Sequence, residues 1–163
     1  MAGINFNKKK ETSSLTTHLS DKKTNLSKNS DNLNFSFEDF CSKQKYSSSF
    51  LDWQNCGLLA KAMEVLSGYS KSPIVYDNTG KFTLYNDFPK SNETLFKFPE
   101  HITPDASWVR IHINGPAVII GHIVSSTFYV VFLDKTHKFW LNQKAREKLL
   151  GKKSTRPGKK GLL

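Results

Sequence analysis

Apolar, β-branched and aromatic positions are densest between Trp108 and Trp140, in WVRIHINGPAVIIGHIVSSTFYVVFLDKTHKFW. Turn formers divide this stretch into three runs. Trp108–Ile113 ends at Asn114-Gly115-Pro116, Ala117–Val124 at Ser125-Ser126, and Thr127–Leu133 at the polar turn Asp134-Lys135-Thr136-His137. Runs of this composition at hairpin spacing predict three consecutive antiparallel strands.

The pattern also predicts a register. A two-residue turn at Ser125-Ser126 sets Ile123 opposite Phe128, Gly121 opposite Val130 and Ile119 opposite Phe132, which makes one strongly apolar face. The other face then carries Val118, Ile120, His122, Val124, Tyr129 and Val131. In the first hairpin, a two-residue loop at Asn114-Gly115 would put Arg110 and His112 on the apolar face. Burying an unpaired Arg is costly. A three-residue loop, Asn114 to Pro116, aligns Val109, Ile111 and Ile113 with that face instead, and is the expected one. A one-residue slip would invert every side chain. In the expected register Trp108, His122 and Tyr129 form a row across the sheet, with Arg110 and His112 beside it.

Before the sheet, Asn34–Phe40 alternates apolar and polar residues as a short half-buried strand does, able to pair at an edge of the main sheet. From Ser49 to Ser67, Phe50, Leu51, Leu58, Leu59, Ala62, Met63 and Leu66 recur near helical spacing. Gly57 is a point where this helix can break in two, and Gly68 a C-terminal stop. Ile74–Tyr76 and Lys81–Tyr85 read as a hairpin around Asp77-Asn78-Thr79-Gly80, and Pro89, Pro99 and Pro104 punctuate a loop-rich crossing into the main sheet. After Trp140, Asn142 caps a short helix over Gln143–Leu150, closed by Gly151. The fold class expected is α+β: a helix packed on an antiparallel sheet of three C-terminal strands plus one or more short strands, with disordered termini.

Charge divides the 163 residues into three parts. Residues 1–34 carry six Lys and three acids, residues 35–143 ten basic and ten acidic residues, and residues 144–163 eight basic residues and Glu147. The net charge of +10 therefore lies wholly in the two ends. Residues 1–34 are too polar to bury the apolar surface that folding requires, and are expected to be a disordered basic arm. Residues 35–150 form the single domain, and residues 151–163 a flexible basic tail. Cys41 and Cys56 form no CxxC pair, so neither a disulfide framework nor a Cys-rich zinc site is expected. No apolar run approaches the length of a membrane span, which leads to the expectation of a soluble, cytoplasmic protein with no membrane partner.

Two constellations carry candidate chemistry. In the row Trp108–His122–Tyr129 with Arg110 and His112, aromatic rings can stack on bases, Arg can bind phosphate and His can move a proton near neutral pH. Arg110, His112, His122 and Tyr129 are the candidate catalytic residues. The competing reading is a covered sheet face on which these groups are merely hydrogen-bonded. In the polar turn, Asp134 and His137 can pair as carboxylate and imidazole, against the plainer reading of a hairpin tip. His112, His122 and His137 have no metal-ligand spacing, and glycine-rich phosphate loops and serine-nucleophile motifs are absent, so no metal or cofactor is expected. For nucleic-acid contact the candidates are Trp108, Lys135, Lys138 and Arg146, with Lys152, Lys153, Arg156, Lys159 and Lys160 in the tail.

A short strand, helical material, three antiparallel strands and a basic C-terminal end resemble in order the RelE/ParE-like toxins of toxin–antitoxin modules. The segment ending FYVVFLDKTH is also similar to the C-terminal segment of uncharacterised small bacterial and mobile-element proteins with the pattern F-Y-x-x-x-x-D-x-x-H. The toxin resemblance implies mRNA cleavage by basic residues and a tyrosine on the sheet and its C-terminal edge, at Arg110, Tyr129, Lys135 and Arg146. The chain departs from that family in its long N-terminal arm, in residues 69–107 and in lacking a terminal tyrosine. The expected function is a nucleic-acid-associated protein of toxin-like or mobile-element class, with RNA cleavage as its candidate activity, RNA or another nucleic acid as its ligand and an antitoxin or larger assembly as a protein partner. The alternative is a non-enzymatic interaction protein, an inhibitor or assembly component that docks through its basic termini.

Overall fold

A computed structural model of the protein describes residues 32–71, 80–149 and 151. The expected basic arm and tail, and the expected strand at Ile74–Tyr76, lie outside them apart from a few boundary residues. The elements in order are β1 (Asn34–Ser36), α1 (Phe50–Asn55), α2 (Leu58–Tyr69), β2 (Phe82–Asn86), β3 (Ser107–Asn114), β4 (Ala117–Val124), β5 (Thr127–Asp134) and α3 (Gln143–Leu149). The strands form one sheet in the order β1-β5-β4-β3-β2, and the class is α+β. All neighbours are antiparallel except β1, which runs parallel to β5. Beyond β1 the same edge of β5 is capped by Cys41 and Ser48, whose N–H groups donate to the carbonyls of Val131 and Leu133, each at 2.8 Å.

The helical stretch breaks at Gly57, whose φ of 71° is left-handed and costs glycine little. Ser49 caps α1 in a capping box with Asp52: its hydroxyl accepts from the Asp52 N–H at 3.1 Å, and its own N–H donates to the Asp52 carboxylate at 2.8 Å. Gly68 does not stop α2, which runs on to Tyr69. Leu51 and Met63, expected in the buried stripe, are exposed; Trp53, Ala62 and Leu66 are the helical residues that enter the core. They cover one face of the sheet, packing with Phe82, Val109, Ile111, Ile119, Phe128, Val130 and Leu133.

The register of β3 on β4 is the expected one, with Trp108 opposite His122, Arg110 opposite Ile120 and Ile111 opposite Ile119. The connection reaches it by a different device. Asn114 pairs with Ala117 around Gly115-Pro116, and the ladder shifts between His112 and Asn114. Gly115 has φ 53°, and proline at the second position excludes a positive φ there, which together describe a II′ turn. Ser125-Ser126 forms the expected two-residue turn, with Val124 opposite Thr127.

The register of β4 on β5 departs from expectation halfway along. Gly121 pairs with Val130 but Ile120 pairs with Phe132, leaving Val131 as the extra residue of a bulge. Past the bulge, Leu133 rather than Phe132 stands opposite Ile119 and joins the helix-covered core. Phe132 crosses to the other face, where it packs with Phe96, Ile102, Trp108, Val118, Ile120, Val131 and Phe139. Gly121 makes the crossover possible: a Cβ there would lie 2.0 Å from the Tyr129 carbonyl oxygen and 2.8 Å from the Phe128 ring.

The second face is covered by irregular chain. Phe88 meets Trp108 and Phe139 edge-on, at 4.9 and 5.2 Å between ring centres, and Phe96 packs on Phe132 at 4.7 Å. Backbone bonds tie this cover to the chain after β5, from Leu95 N–H to the Lys138 carbonyl at 3.1 Å and from Leu141 N–H to the Glu93 carbonyl at 2.7 Å. The Gln44 amide holds it from the other side, donating to the Lys97 carbonyl and accepting from the Lys97 N–H, both at 2.8 Å.

Candidate nucleic-acid interface

The expected row forms, but under cover. Trp108 is fully buried against Phe88, Phe98, Phe132 and Phe139, so it offers no ring face to a base. His122 is 7% exposed, and its Nε2–H donates to the Asp39 carboxylate at 2.7 Å. Its other nitrogen, Nδ1, is buried with no hydrogen-bond partner among the described residues. Tyr129 is half-buried and stacks on His122, 4.9 Å between ring centres at 6°. His112 turns away to its own hairpin, donating from Nε2 to the Gly115 carbonyl at 2.7 Å. Arg110 and His122 bond to different residues, so the four candidate catalytic side chains do not converge on one open point.

Asp134 and His137 do not pair either. Asp134 is fully buried, and its carboxylate accepts from the N–H groups of Thr136, Lys138 and Phe139, clasping the turn that follows β5. The F-Y-x-x-x-x-D-x-x-H pattern is thereby accounted for as architecture. Phe128 fills the helix-covered core, Tyr129 lies on His122, Asp134 shapes the corner and His137 holds Arg110.

That last contact belongs to a cluster of partly exposed polar and aromatic side chains. The Arg110 guanidinium bonds in two directions: its Nη1 donates to His137 Nε2 at 2.9 Å, and its Nη2 to the Gly80 carbonyl at 3.0 Å and Thr83 Oγ1 at 3.2 Å at the start of β2. A guanidinium only donates, so His137 Nε2 must accept; the imidazole proton sits on Nδ1 and is donated to the Trp140 carbonyl at 3.1 Å. The guanidinium also lies over the Tyr85 ring, 5.6 Å from its centre. Tyr85 in turn stacks on Trp140, 4.3 Å apart and 8° from parallel. Burial pushes the Tyr85 phenol above its ordinary pKa, with the Arg110 charge pulling the other way. Arg110, Tyr85, His137 and Trp140 are all partly exposed.

The remaining basic candidates fall near this cluster in the chain. Lys135 and Lys138 are half-buried in the turn after β5. Arg146 bonds Glu93 at 2.9 Å, so its charge is already partnered. Lys144 and Lys148, cations of the same basic C-terminal stretch, are exposed on α3, and Asn142, Gln143, Lys144 and Glu147 line a groove of about 590 Å³. Lys152, Lys153, Arg156, Lys159 and Lys160 lie outside the described residues. Sequence reasoning also missed Asp39, Tyr85 and Trp140. The only sequence cue for the last two was aromatic character beside polar residues at the ends of strands.

No protein-family model matches the chain, and neither a curated protein nor a solved structure matches it. Among the described residues, no helix is long and apolar enough to cross a membrane, and no group of three or more His, Cys, Asp or Glu side chains is placed to hold a metal ion.

Proposed function

We propose that this is a nucleic-acid-associated protein of toxin-like or mobile-element class that binds RNA in the cytoplasm through its C-terminal end. One observation carries the reading. Residues 35–143 are electrically balanced, whereas the last twenty residues hold eight cations and one acid, and they begin four residues beyond the partly exposed Trp140. Cations bind a phosphate backbone by releasing its counterions, and an aromatic side chain close to them in sequence can bind bases by stacking. The order of elements, which resembles that of RelE/ParE-like toxins, favours RNA. The burial of His122 and the separate engagements of Arg110 and His112 favour binding without cleavage at the Trp108 row.

The test is the salt dependence of binding of a labelled RNA to the full chain. Affinity should fall linearly in log–log form as salt rises, with a slope of about −0.7 for each single-strand phosphate neutralised. Reversing Lys144 and Lys148 together (Lys144→Glu, Lys148→Glu) should weaken binding and flatten that slope. Absence of binding at low salt would overturn the reading. A second reading, a non-enzymatic assembly component, is favoured by exposed apolar side chains on and near α1: Leu51, 63% exposed, and Phe37, 43% exposed and edge-on to Phe50. An RNA-inactive chain that forms a stable complex lost on Leu51→Glu would support it.

A further inference from the structure

We infer that the Arg110–Tyr85–Trp140 stack is a base-stacking platform that makes this chain prefer single-stranded over duplex nucleic acid; the inference rests on the RNA-binding reading above and gives it a substrate class. The cluster joins two stacked rings and a guanidinium. The Arg110 guanidinium lies over the Tyr85 ring, 5.6 Å from its centre, and Trp140 stacks on the same ring at 4.3 Å and 8°. Trp140 is partly exposed. Two further ties fix it in place. Arg110 is anchored to Gly80 and Thr83 on one side, and through His137 it is tied to the Trp140 carbonyl on the other.

Rings already stacked on each other beside a hydrogen-bonded guanidinium lose little side-chain freedom when another flat group is added, so the entropic cost of binding is small. The group must be an unpaired base. In a duplex each base face is already occupied by its neighbours, whereas single-strand proteins add aromatic rings to successive free bases with little regard to sequence. Lys138 and Lys144 flank Trp140 in the chain and supply cations for the phosphates on either side of a stacked base. Nothing comparable exists at Trp108, whose ring lies under Phe88 and Phe98.

The three tryptophans make the test direct. Trp53 and Trp108 are fully buried, so a stacked base can quench only Trp140. The full chain is titrated with a short unstructured RNA and, separately, with a duplex RNA of the same length, following intrinsic emission and the anisotropy of the labelled RNA. The expected result is quenching by the single strand and none by the duplex. Trp140→Ala should weaken single-strand binding about tenfold or more and leave duplex binding unchanged. Trp140→Phe should restore most of the loss. Single-strand binding without a change in emission, or equal weakening of both RNAs by Trp140→Ala, would overturn the platform while leaving RNA binding intact. If neither RNA raises the anisotropy, the RNA-binding reading fails first. Should Trp140→Ala not fold, the quenching titration of the unaltered chain still decides the matter.

Discussion

The two faces of the sheet are built from the same strands by opposite means. On one face, Trp53, Ala62 and Leu66 of α1 and α2 cover a largely aliphatic layer of Val109, Ile111, Ile119, Val130 and Leu133. On the other, irregular chain covers a layer dominated by rings: Phe88, Phe96, Trp108, Phe132 and Phe139. The ionisable side chains His122 and Arg110 belong to this second face, each with a specific partner at its margin. Helices satisfy their own backbone and need only apolar area beneath them. Irregular chain must find partners for its N–H and C=O groups, and here it takes them from Gln44, Lys138 and Thr94. Polar side chains are accommodated where the cover is already polar in its bonding.

Removing one large residue from each layer tests how firmly each cover is packed. Trp108→Ala should cost about 3–5 kcal/mol and Ile111→Ala about 2–5 kcal/mol, the range for deleting large buried side chains. Arg110→Ala leaves the His137, Gly80 and Thr83 acceptors without their donor but opens no deep cavity, so it should cost less, about 1–3 kcal/mol. Urea melts with equal slopes would give all three. If Trp108→Ala cost under 1 kcal/mol, the irregular cover would be a loose flap rather than a second core.

How far each face was legible in the sequence follows from its construction. The helix-covered face depends on alternation in the strands and 3.6-residue spacing in the helices, both visible in the residues, and the cost of burying Arg110 settled the register of β3 on β4. The second face depends on aromatics scattered through residues 87–106 without any period, so nothing local shows where they land. Asp39 and His122 meet across 83 positions of sequence. One signal was present and unread: a glycine inside a strand run marks a bulge or a close approach, and Gly121 marks both. A bulge there places Phe132 on the second face, stacked beside Trp108.

That glycine gives the next largest effect. Gly121→Ala drives a Cβ into the Tyr129 carbonyl oxygen and the Phe128 ring, and backbone cannot swing aside as a side-chain end can. A cost of about 3 kcal/mol is expected, the upper end of overpacking. It should shift both cores together, because the bulge sorts Phe132 and Leu133 between them. Near-UV circular dichroism unchanged by this substitution would show that the strands can slide without it.

At the margin of the helix-covered face, Ser49→Ala removes the N-cap of α1, the helix that delivers Trp53, and should cost about 1 kcal/mol in thermal melts near neutral pH. The box has a pH signature as well. Hydrogen bonds from the Ser49 N–H and then its hydroxyl hold the Asp52 carboxyl below its ordinary value. A carboxylate favoured in the folded state contributes stability above its unfolded pKa, and that contribution is lost as pH falls below about 4. Stability of Asp52→Asn should therefore decline less steeply than the parent over that acid range. Parallel acid limbs would mean the box does not persist in solution.

The hairpin between β4 and β5 belongs to both faces. Ser125 sits at φ 54°, a left-handed conformation that costs an L-residue about 1–2 kcal/mol and glycine little. The corresponding position of the preceding hairpin is already glycine, Gly115, at φ 53°. Ser125→Gly removes the strain but gives the unfolded chain more freedom, which offsets about 0.5–1 kcal/mol of the gain. A net stabilisation of about 0.5 kcal/mol is expected, a small upward shift in the urea midpoint with no change in slope. Ser125→Ala keeps the Cβ and the strain while removing the hydroxyl, so it should leave stability nearly unchanged. If Ser125→Ala destabilises and Ser125→Gly does not stabilise, the hydroxyl rather than the backbone determines this turn.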